Sequence, residues 1–172
     1  LKVLFNPSTP PKRVVRPLKG ATAIYKFGDA SGSGFGCSYL REGEVHYTSG
    51  QWSNDHTTQS SNFRELANLV YSIERTQQEG SLKNAELFIF TDNTTAEAAF
   101  FKGTSSSKLL CDLALRLRTL EMHGDMMIHF IHVAGKRMMA QGTDGVSRGN
   151  LREGVAVGEA MISFCPWAKS AL

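Results

Sequence analysis

Four acidic residues stand at or near the ends of predicted elements, where a carboxylate has no obvious place in a core. Asp29 follows a β-rich run, Glu65 lies one turn into a predicted helix, Asp92 ends an apolar run, and Asp144 precedes a glycine. Each alone is explained as a turn residue, a helix cap or a partner of the helix dipole. Clustered carboxylates cannot all ionise without a cation, and oxygen ligands favour Mg²⁺ or Mn²⁺ over zinc. If the fold brings the four together, they predict a divalent metal site.

The elements that would position Asp29 and Glu65 lie in the first half of the chain. The runs 22–27, 34–41 and 44–52 are rich in β-forming residues and are separated by glycine turns, which predicts an antiparallel meander of three strands. The period becomes helical at Ser60, and we expect a helix of about 14 residues that ends near Gly80.

The elements that would position Asp92 and Asp144 follow. Residues 85–91 contain the unbroken apolar run of a strand buried on both faces in a parallel region. A short helix is expected from Thr94, which forms a capping box with Glu97. A longer helix over 107–122, a strand over 126–133 and a final helix without definite bounds complete the pattern. This order predicts an α/β fold: a mixed five-stranded sheet, three antiparallel strands and then two parallel, with helices on both faces.

Length and composition bound the organisation of the chain. The 172 residues correspond to one domain, and hydrophobic residues at 41% with charged residues at 20% are typical of a globular protein. We expect a Pro-rich basic arm or linker over 1–20, the folded domain over 21–149, and a C-terminal tail or linker over 150–172. The first residue is Leu, which suggests a fragment of a longer chain.

Other features exclude several classes of protein. The net charge of +3 is too mild to identify a nucleic-acid binder by itself. Three cysteines, odd in number and far apart, predict reduced thiols rather than disulfides: Cys37, Cys111 and Cys165. The chain has neither a signal peptide nor an apolar run long enough to span a membrane, so we expect an intracellular protein of the cytoplasm or nucleus, without a membrane partner.

Four motifs in chain order resemble the ribonuclease H family. They are Asp29 with the glycine turn 29–36, the helix start Ser61-Asn62-x-x-Glu65-Leu66, the strand end Thr91-Asp92, and the segment 132–136 before Asp144. The resemblance covers 21–149. The sequence is most similar to the ribonuclease H domains of reverse transcriptases from long-terminal-repeat and tyrosine-recombinase retrotransposons, which share a His-Val-x-Gly-Lys segment and an Asp-x-x-Ser-Arg ending.

The resemblance implies the ribonuclease H-like fold and two-metal hydrolysis of the RNA strand in RNA/DNA hybrids, leaving a 5′-phosphate. Two Mg²⁺ ions, for which Mn²⁺ would substitute, are expected on the four carboxylates. By analogy Asp29 bridges both ions, Asp144 helps to hold the ion that activates water, and Glu65 with Asp92 holds the ion at the leaving oxygen. A reverse transcriptase polymerase domain, linked or neighbouring, is the implied partner.

Several polar residues flank the proposed carboxylates and are candidate substrate contacts, since a protein distinguishes RNA by its 2′-hydroxyls. They are Ser31, Ser33, Asn62, Asn93 and Lys136. Roles as turn or cap residues explain the serines and asparagines equally well.

The chain departs from better-known members of the family at two places. The family's helper histidine has no clear counterpart, so no catalytic histidine is assigned, and His132 is interpreted as a core or strand residue. Lys136 stands closer to the helper's position. The link Gly103–Ser107 is short and polar where some relatives carry a basic protrusion that grips the hybrid.

Two other functions remain open. One is a catalytically silent ribonuclease H-like connector or nucleic-acid-binding domain, although an intact set of carboxylates argues against it. The other is a DNA-cutting resolvase or transposase relative, against which the Asn62-x-x-Glu65 helix start argues.

Overall fold

The computed structural model describes residues 20–41, 43–80 and 82–150. The predicted arm over 1–20 and tail over 150–172 therefore lie outside the described residues, except at Gly20 and Asn150. Within the described ranges, no helix is both long enough and apolar enough to cross a membrane.

Five strands form one mixed sheet in the order β3-β2-β1-β4-β5. The elements are β1 (Thr22–Ala30), β2 (Gly34–Arg41), β3 (Glu44–Gln51), α1 (Asn54–Thr57), α2 (Ser61–Gln78), β4 (Ala85–Thr91), α3 (Thr94–Lys102), α4 (Lys108–His123), β5 (Met126–His132), α5 (Gly135–Gln141) and α6 (Thr143–Ser147). The first three strands are antiparallel, whereas β4 runs parallel to both β1 and β5. The predicted sheet, with its three antiparallel and two parallel strands, is confirmed.

Alternating side chains of the strands build a core on each face of the sheet. On one face, Ile24, Leu87 and Ile128 pack in a large cluster with buried residues of α2, α3 and α4. On the other face, Phe27 and Phe90 pack with Val133 and with Met138 of α5. Helices therefore cover both faces, as the sequence predicts. Cys37 and Cys111 are free thiols, also as predicted.

Side-chain caps explain where the three long helices begin. The hydroxyl of Ser60 accepts a hydrogen bond from Phe63 N at 3.2 Å and starts α2, and Ser107 starts α4 in the same way. The predicted cap of α3 is wrong. The cap is Asn93, whose Oδ1 accepts from Ala96 N at 2.9 Å, while Thr94 lies inside the helix.

Three further boundaries differ from the prediction. Helix α2 has 18 residues, because its apolar stripe continues to buried Thr76. Strand β1 continues to Ala30, since residues 28–30 still pair with β2. The chain after β5 forms two short helices, α5 and α6, where the sequence predicted one final helix without definite bounds.

Candidate active site

Two of the four carboxylates lie at the C-terminal ends of neighbouring parallel strands. Phe27 pairs with Phe90 in the parallel register of β1 and β4, so Asp29 and Asp92 occupy equivalent positions two residues further along. Asp29 is half-buried within β1, and Asp92 is exposed just beyond β4. This edge of a parallel region is where α/β folds form their sites.

Helix α2 brings Glu65 to the same end of the sheet. One turn after Glu65, Asn68 is 2% exposed, and its Nδ2 donates to Asp29 O at 2.9 Å and to Gly36 O at 2.8 Å. Gly28 lets the helix approach closely, because a Cβ there would lie 2.4 Å from Leu69 Cδ2. The first two turns of α2 are thereby fixed against β1 and β2.

Helix α6 brings Asp144 from the opposite face of the sheet. It lies so close to β2 that a Cβ on Gly36 would meet Ser147 N at 2.6 Å. Ser147 is buried, and its Oγ donates to Asp29 Oδ2 at 2.8 Å while lying equally close to Asp144 O. The Arg148 guanidinium contacts both oxygens of the Asp144 carboxylate, with Nη2 at 2.9 Å from Oδ1 and Nε at 3.2 Å from Oδ2.

Repulsion between carboxylates acts on the pKa values of Asp29 and Glu65. Burial raises the pKa of Asp29, and repulsion from Asp144 and Asp92 raises it further, against the Ser147 hydrogen bond. Burial likewise raises the pKa of Glu65 to about 7; a hydrogen bond from Asn93 opposes this, and Asp29 and Asp92 add to it. Negative charge at this site is therefore only partly compensated by the protein.

The donor set fits a hard divalent cation, because every ligand offered is a carboxylate oxygen. As the side chains stand, however, no three acidic, histidine or cysteine residues of the described ranges converge into a preassembled metal centre. Three of the carboxylates are instead bound by protein donors: Ser147 on Asp29, Arg148 on Asp144 and Asn93 on Glu65.

The predicted substrate contacts divide into two groups. Ser33 and Lys136 are exposed. Ser31 supports the fold, since its Oγ accepts from Gly34 N at 2.9 Å and lies 3.0 Å from Ser147 O. Asn93 caps α3 and donates from Nδ2 to Asn62 Oδ1 at 3.0 Å, so these two form a polar link between α2 and α3.

His132 is the last residue of β5, as one of the two alternatives predicted, but its side chain is exposed rather than in the core. It pairs with Thr91 at the end of β4, where the sheet stops and nothing covers the outer side chain. The prediction of a core position is therefore wrong, and that of a strand position is confirmed.

Sequence analysis missed four residues that position the carboxylates: Asn68, Gly135, Ser147 and Arg148. A Cβ on Gly135 would lie 2.9 Å from Asp92 Oδ2, so this glycine leaves room for that carboxylate. Ser147 and Arg148 belong to the Asp-x-x-Ser-Arg ending on which the resemblance rests, and this motif is the one signal in the sequence that points to them. Asn68 has no such signal.

Comparison with known proteins identifies the fold. No protein-family model matches the chain, and no curated protein matches it by sequence. Among solved structures, the ribonuclease H1 of the halophilic archaeon Halobacterium salinarum superposes with a TM-score of 0.58 at 15% identity, over 77% of this chain and 98% of that one. LC11-RNase H1, in complex with an RNA/DNA hybrid, gives 0.55 at 19% identity, over 73% and 92%.

A viral polyprotein is also similar. The foamy viral protease-reverse transcriptase, in complex with an RNA/DNA hybrid, gives a TM-score of 0.51 at 12% identity, over 81% of this chain. This chain spans only 21% of the length of that protein. The chain therefore has the ribonuclease H-like fold, shared with free-standing ribonucleases H and with a reverse transcriptase.

Proposed function

We propose that the chain is a metal-dependent endonuclease domain that hydrolyses the RNA strand of RNA/DNA hybrids during reverse transcription of a retroelement. One observation carries the proposal: Asp29 and Asp92 lie at the carboxyl ends of neighbouring parallel strands in a ribonuclease H-like fold, and repulsion couples Asp29 to Asp144 and Glu65 to Asp29 and Asp92. A silent connector has no need to keep four mutually repelling carboxylates, which destabilise the protein without a cation.

The four carboxylates would hold two Mg²⁺ ions, with Mn²⁺ as a substitute. When bound, the ions supply a water of lowered pKa and stabilise negative charge on the oxygens of the phosphate. Asp29 is kept in place by Ser147 and by the contact of Asn68 with its carbonyl. Glu65 has to lose its proton before it can serve as a ligand, because its pKa is about 7 in the metal-free protein.

The proposed substrate follows from structural likeness and from the groups around the site. LC11-RNase H1 and the foamy viral protein are both seen with RNA/DNA hybrids. In this chain, exposed Ser33 and Lys136 and half-buried Asn62 are proposed contacts, the polar groups for 2′-hydroxyls and the lysine for phosphate. Ser31 and Asn93 are proposed to act by fixing the shape of this border.

The retroelement origin rests on the Asp144-x-x-Ser147-Arg148 ending and the preceding His-Val-x-Gly-Lys segment, and likeness to a reverse transcriptase supports it. In such an element a polymerase domain lies next to the ribonuclease domain, and both act inside the cell. The same fold and metals would serve a DNA-cutting resolvase or transposase relative, which makes the substrate the decisive question.

The test is cleavage of four substrates of matched sequence with Mg²⁺: an RNA/DNA hybrid, duplex RNA, duplex DNA and branched DNA. We expect cuts only in the RNA of the hybrid, with 5′-phosphate ends. Asp29→Asn should abolish cleavage, whereas Asp112→Asn, a matched change at an exposed position on α4, should not. Cleavage of branched DNA alone would establish the DNA-cutting alternative.

Metal binding provides a second measurement on the same proteins. Mg²⁺ at 100 times its dissociation constant should stabilise the wild type by about 2.7 kcal/mol, if the unfolded chain binds little. Asp29→Asn should lose most of this gain, yet be at least as stable without metal because one repelling charge is gone. If the melting temperature does not change with Mg²⁺ and no substrate is cleaved, the result would support the alternative of a catalytically silent connector.

A further inference from the structure

Arg148 occupies the oxygens of Asp144 that a cation would need. Its Nε lies 3.2 Å from both carboxylate oxygens, and its Nη2 lies 2.9 Å from Oδ1. The preceding residue, Ser147, donates to Asp29 Oδ2 at 2.8 Å. Two consecutive residues therefore bind two of the four proposed metal ligands.

The contact between Arg148 and Asp144 is a weak ion pair at the surface, so another ligand can replace it. The side chains are 65% and 27% exposed, and such surface ion pairs are weak. A guanidinium keeps its charge at any physiological pH, so protonation cannot release it. A divalent cation on Asp144 brings twice the charge and displaces it by competition for the same oxygens.

A cavity lies beside Arg148, at the ends of β2 and β3. It measures about 190 Å³, and the polar residues of its lining are Ser33, Ser49, Gln51, Ser147 and Arg148. No acidic residue belongs to this lining, while hydroxyl, amide and guanidinium donors do. That combination suits a phosphate oxygen, which Arg recognises through two parallel hydrogen bonds.

We propose that Arg148 is an exchange residue: it holds Asp144 in the metal-free protein and, once a cation takes that carboxylate, it binds a phosphodiester of the nucleic acid seated in this cavity. The proposal rests on the proposed function for its ligand. Helix α6 cannot move far during the exchange, because Val146 and Ser147 lie against Gly36 of β2. Only the arginine side chain has to turn.

The exchange couples the two ligands of the site. A cation frees Arg148 for phosphate, and a phosphate that holds Arg148 frees Asp144 for a cation. By linkage each ligand strengthens the binding of the other by the same factor. The protein would thus bind metal best with its substrate in place.

The first experiment measures Mn²⁺ affinity by calorimetry without nucleic acid. Arg148→Gln should bind Mn²⁺ about 2- to 5-fold more tightly than the wild type, the factor that an exposed ion pair represents. Arg148→Lys keeps the charge but loses the two-pronged contact, and should fall between them. The control, Arg75→Gln, removes a similar exposed pair with Glu79 on α2 and should change nothing. Equal affinities of Arg148→Lys and wild type would reduce the effect to charge alone and overturn the exchange.

The second experiment measures anisotropy of a labelled hybrid in EDTA and in saturating Ca²⁺, with the RNA length checked on a gel. Arg148→Gln should bind as the wild type does in EDTA, and about 2- to 5-fold more weakly in Ca²⁺. An equal loss in both conditions would make Arg148 an ordinary phosphate contact and overturn the proposal. A wild type that binds cations but no hybrid would contradict the proposed function, while tighter Mn²⁺ binding by Arg148→Gln would still support the exchange at Asp144.

Discussion

At the scale of single residues, the carboxylates of the site are treated unequally by the protein. Asp29 accepts a hydrogen bond from the hydroxyl of Ser147, and Asp144 accepts hydrogen bonds from the guanidinium of Arg148. Glu65 is half-buried and repelled by Asp29 and Asp92, and an amide hydrogen bond from Asn93 and the charge of Arg64 offset this only in part. In the metal-free protein the protonated and ionised forms of Glu65 therefore have similar populations near neutral pH, and a bound cation would favour the ionised form.

This proton makes the metal-free stability depend on pH. The folded protein prefers protonated Glu65, because its pKa of about 7 lies above the usual 4.5, so stability is lost as the pH rises from 4.5 through 7. Glu65→Gln should remove this loss. Its free energy of unfolding should exceed that of the wild type by about 1 to 2 kcal/mol at pH 8, a value that allows for the partial exposure of the side chain. At pH 4 the two proteins should be equally stable. Urea unfolding in EDTA at both pH values measures it. A difference that is the same at both would contradict the assignment.

The sequence could identify the four acids and not the residues that hold them. Asp92 is visible because a buried apolar run ends there. Ser147 contacts Asp29 across 118 positions of the chain, and Asn68 contacts Gly36 across 32. No local pattern encodes such pairs, since both side chains have ordinary explanations as helix residues.

At the scale of elements, α5 and α6 set the positions of Asp92 and Asp144 without contributing much helix of their own. They have 7 and 5 residues, and neither begins with a side-chain cap. Their place is determined by packing on the sheet. This is why sequence patterns predicted β2 and β4 to the residue, but predicted only one final helix without bounds in the place of α5 and α6.

The N-terminus of α5 offers a test of positioning. Gly135→Ala places a methyl group 2.9 Å from Asp92 Oδ2 and should displace that carboxylate. Cleavage should fall by about 10-fold or more, as expected for a misplaced metal ligand, while stability stays within about 0.5 kcal/mol because Ala favours a helix. The matched control is Gly32→Ala, where the added methyl meets nothing within 4 Å. Unchanged cleavage in Gly135→Ala would show that Asp92 can shift without loss.

At the scale of the whole molecule, the affinity for nucleic acid is expected to be low. Helix α3 ends at Lys102 and is capped by Gly103, whose φ is +65°, and α4 begins at Lys108, so no basic element stands between them. With a net charge of +3, few phosphates can be neutralised. A neighbouring polymerase domain would raise affinity through effective concentration.

The dependence of hybrid affinity on salt concentration reports how many phosphates the protein contacts. We expect the logarithm of hybrid affinity to fall with the logarithm of salt by a slope of about 3 or less, since each contacted phosphate contributes about 0.9. Deleting residues 1–19, which carry the cluster Lys12, Arg13, Arg16 and Lys19, should lower the slope further. Nanomolar binding by the shortened protein at physiological salt would show that another surface holds the hybrid.

The route of the chain through the site has a consequence for how the protein is made. Strands β1 and β4 and helix α2 supply three carboxylates early, yet Asp144, Ser147 and Arg148 come from the last described helix and its end. A ribosome delivers these residues after all five strands have left it, and domains form from the N-terminus during synthesis. The growing chain would therefore have its sheet before it could hold a full set of ligands, and we expect it to cut no hybrid until Asp144 has been delivered.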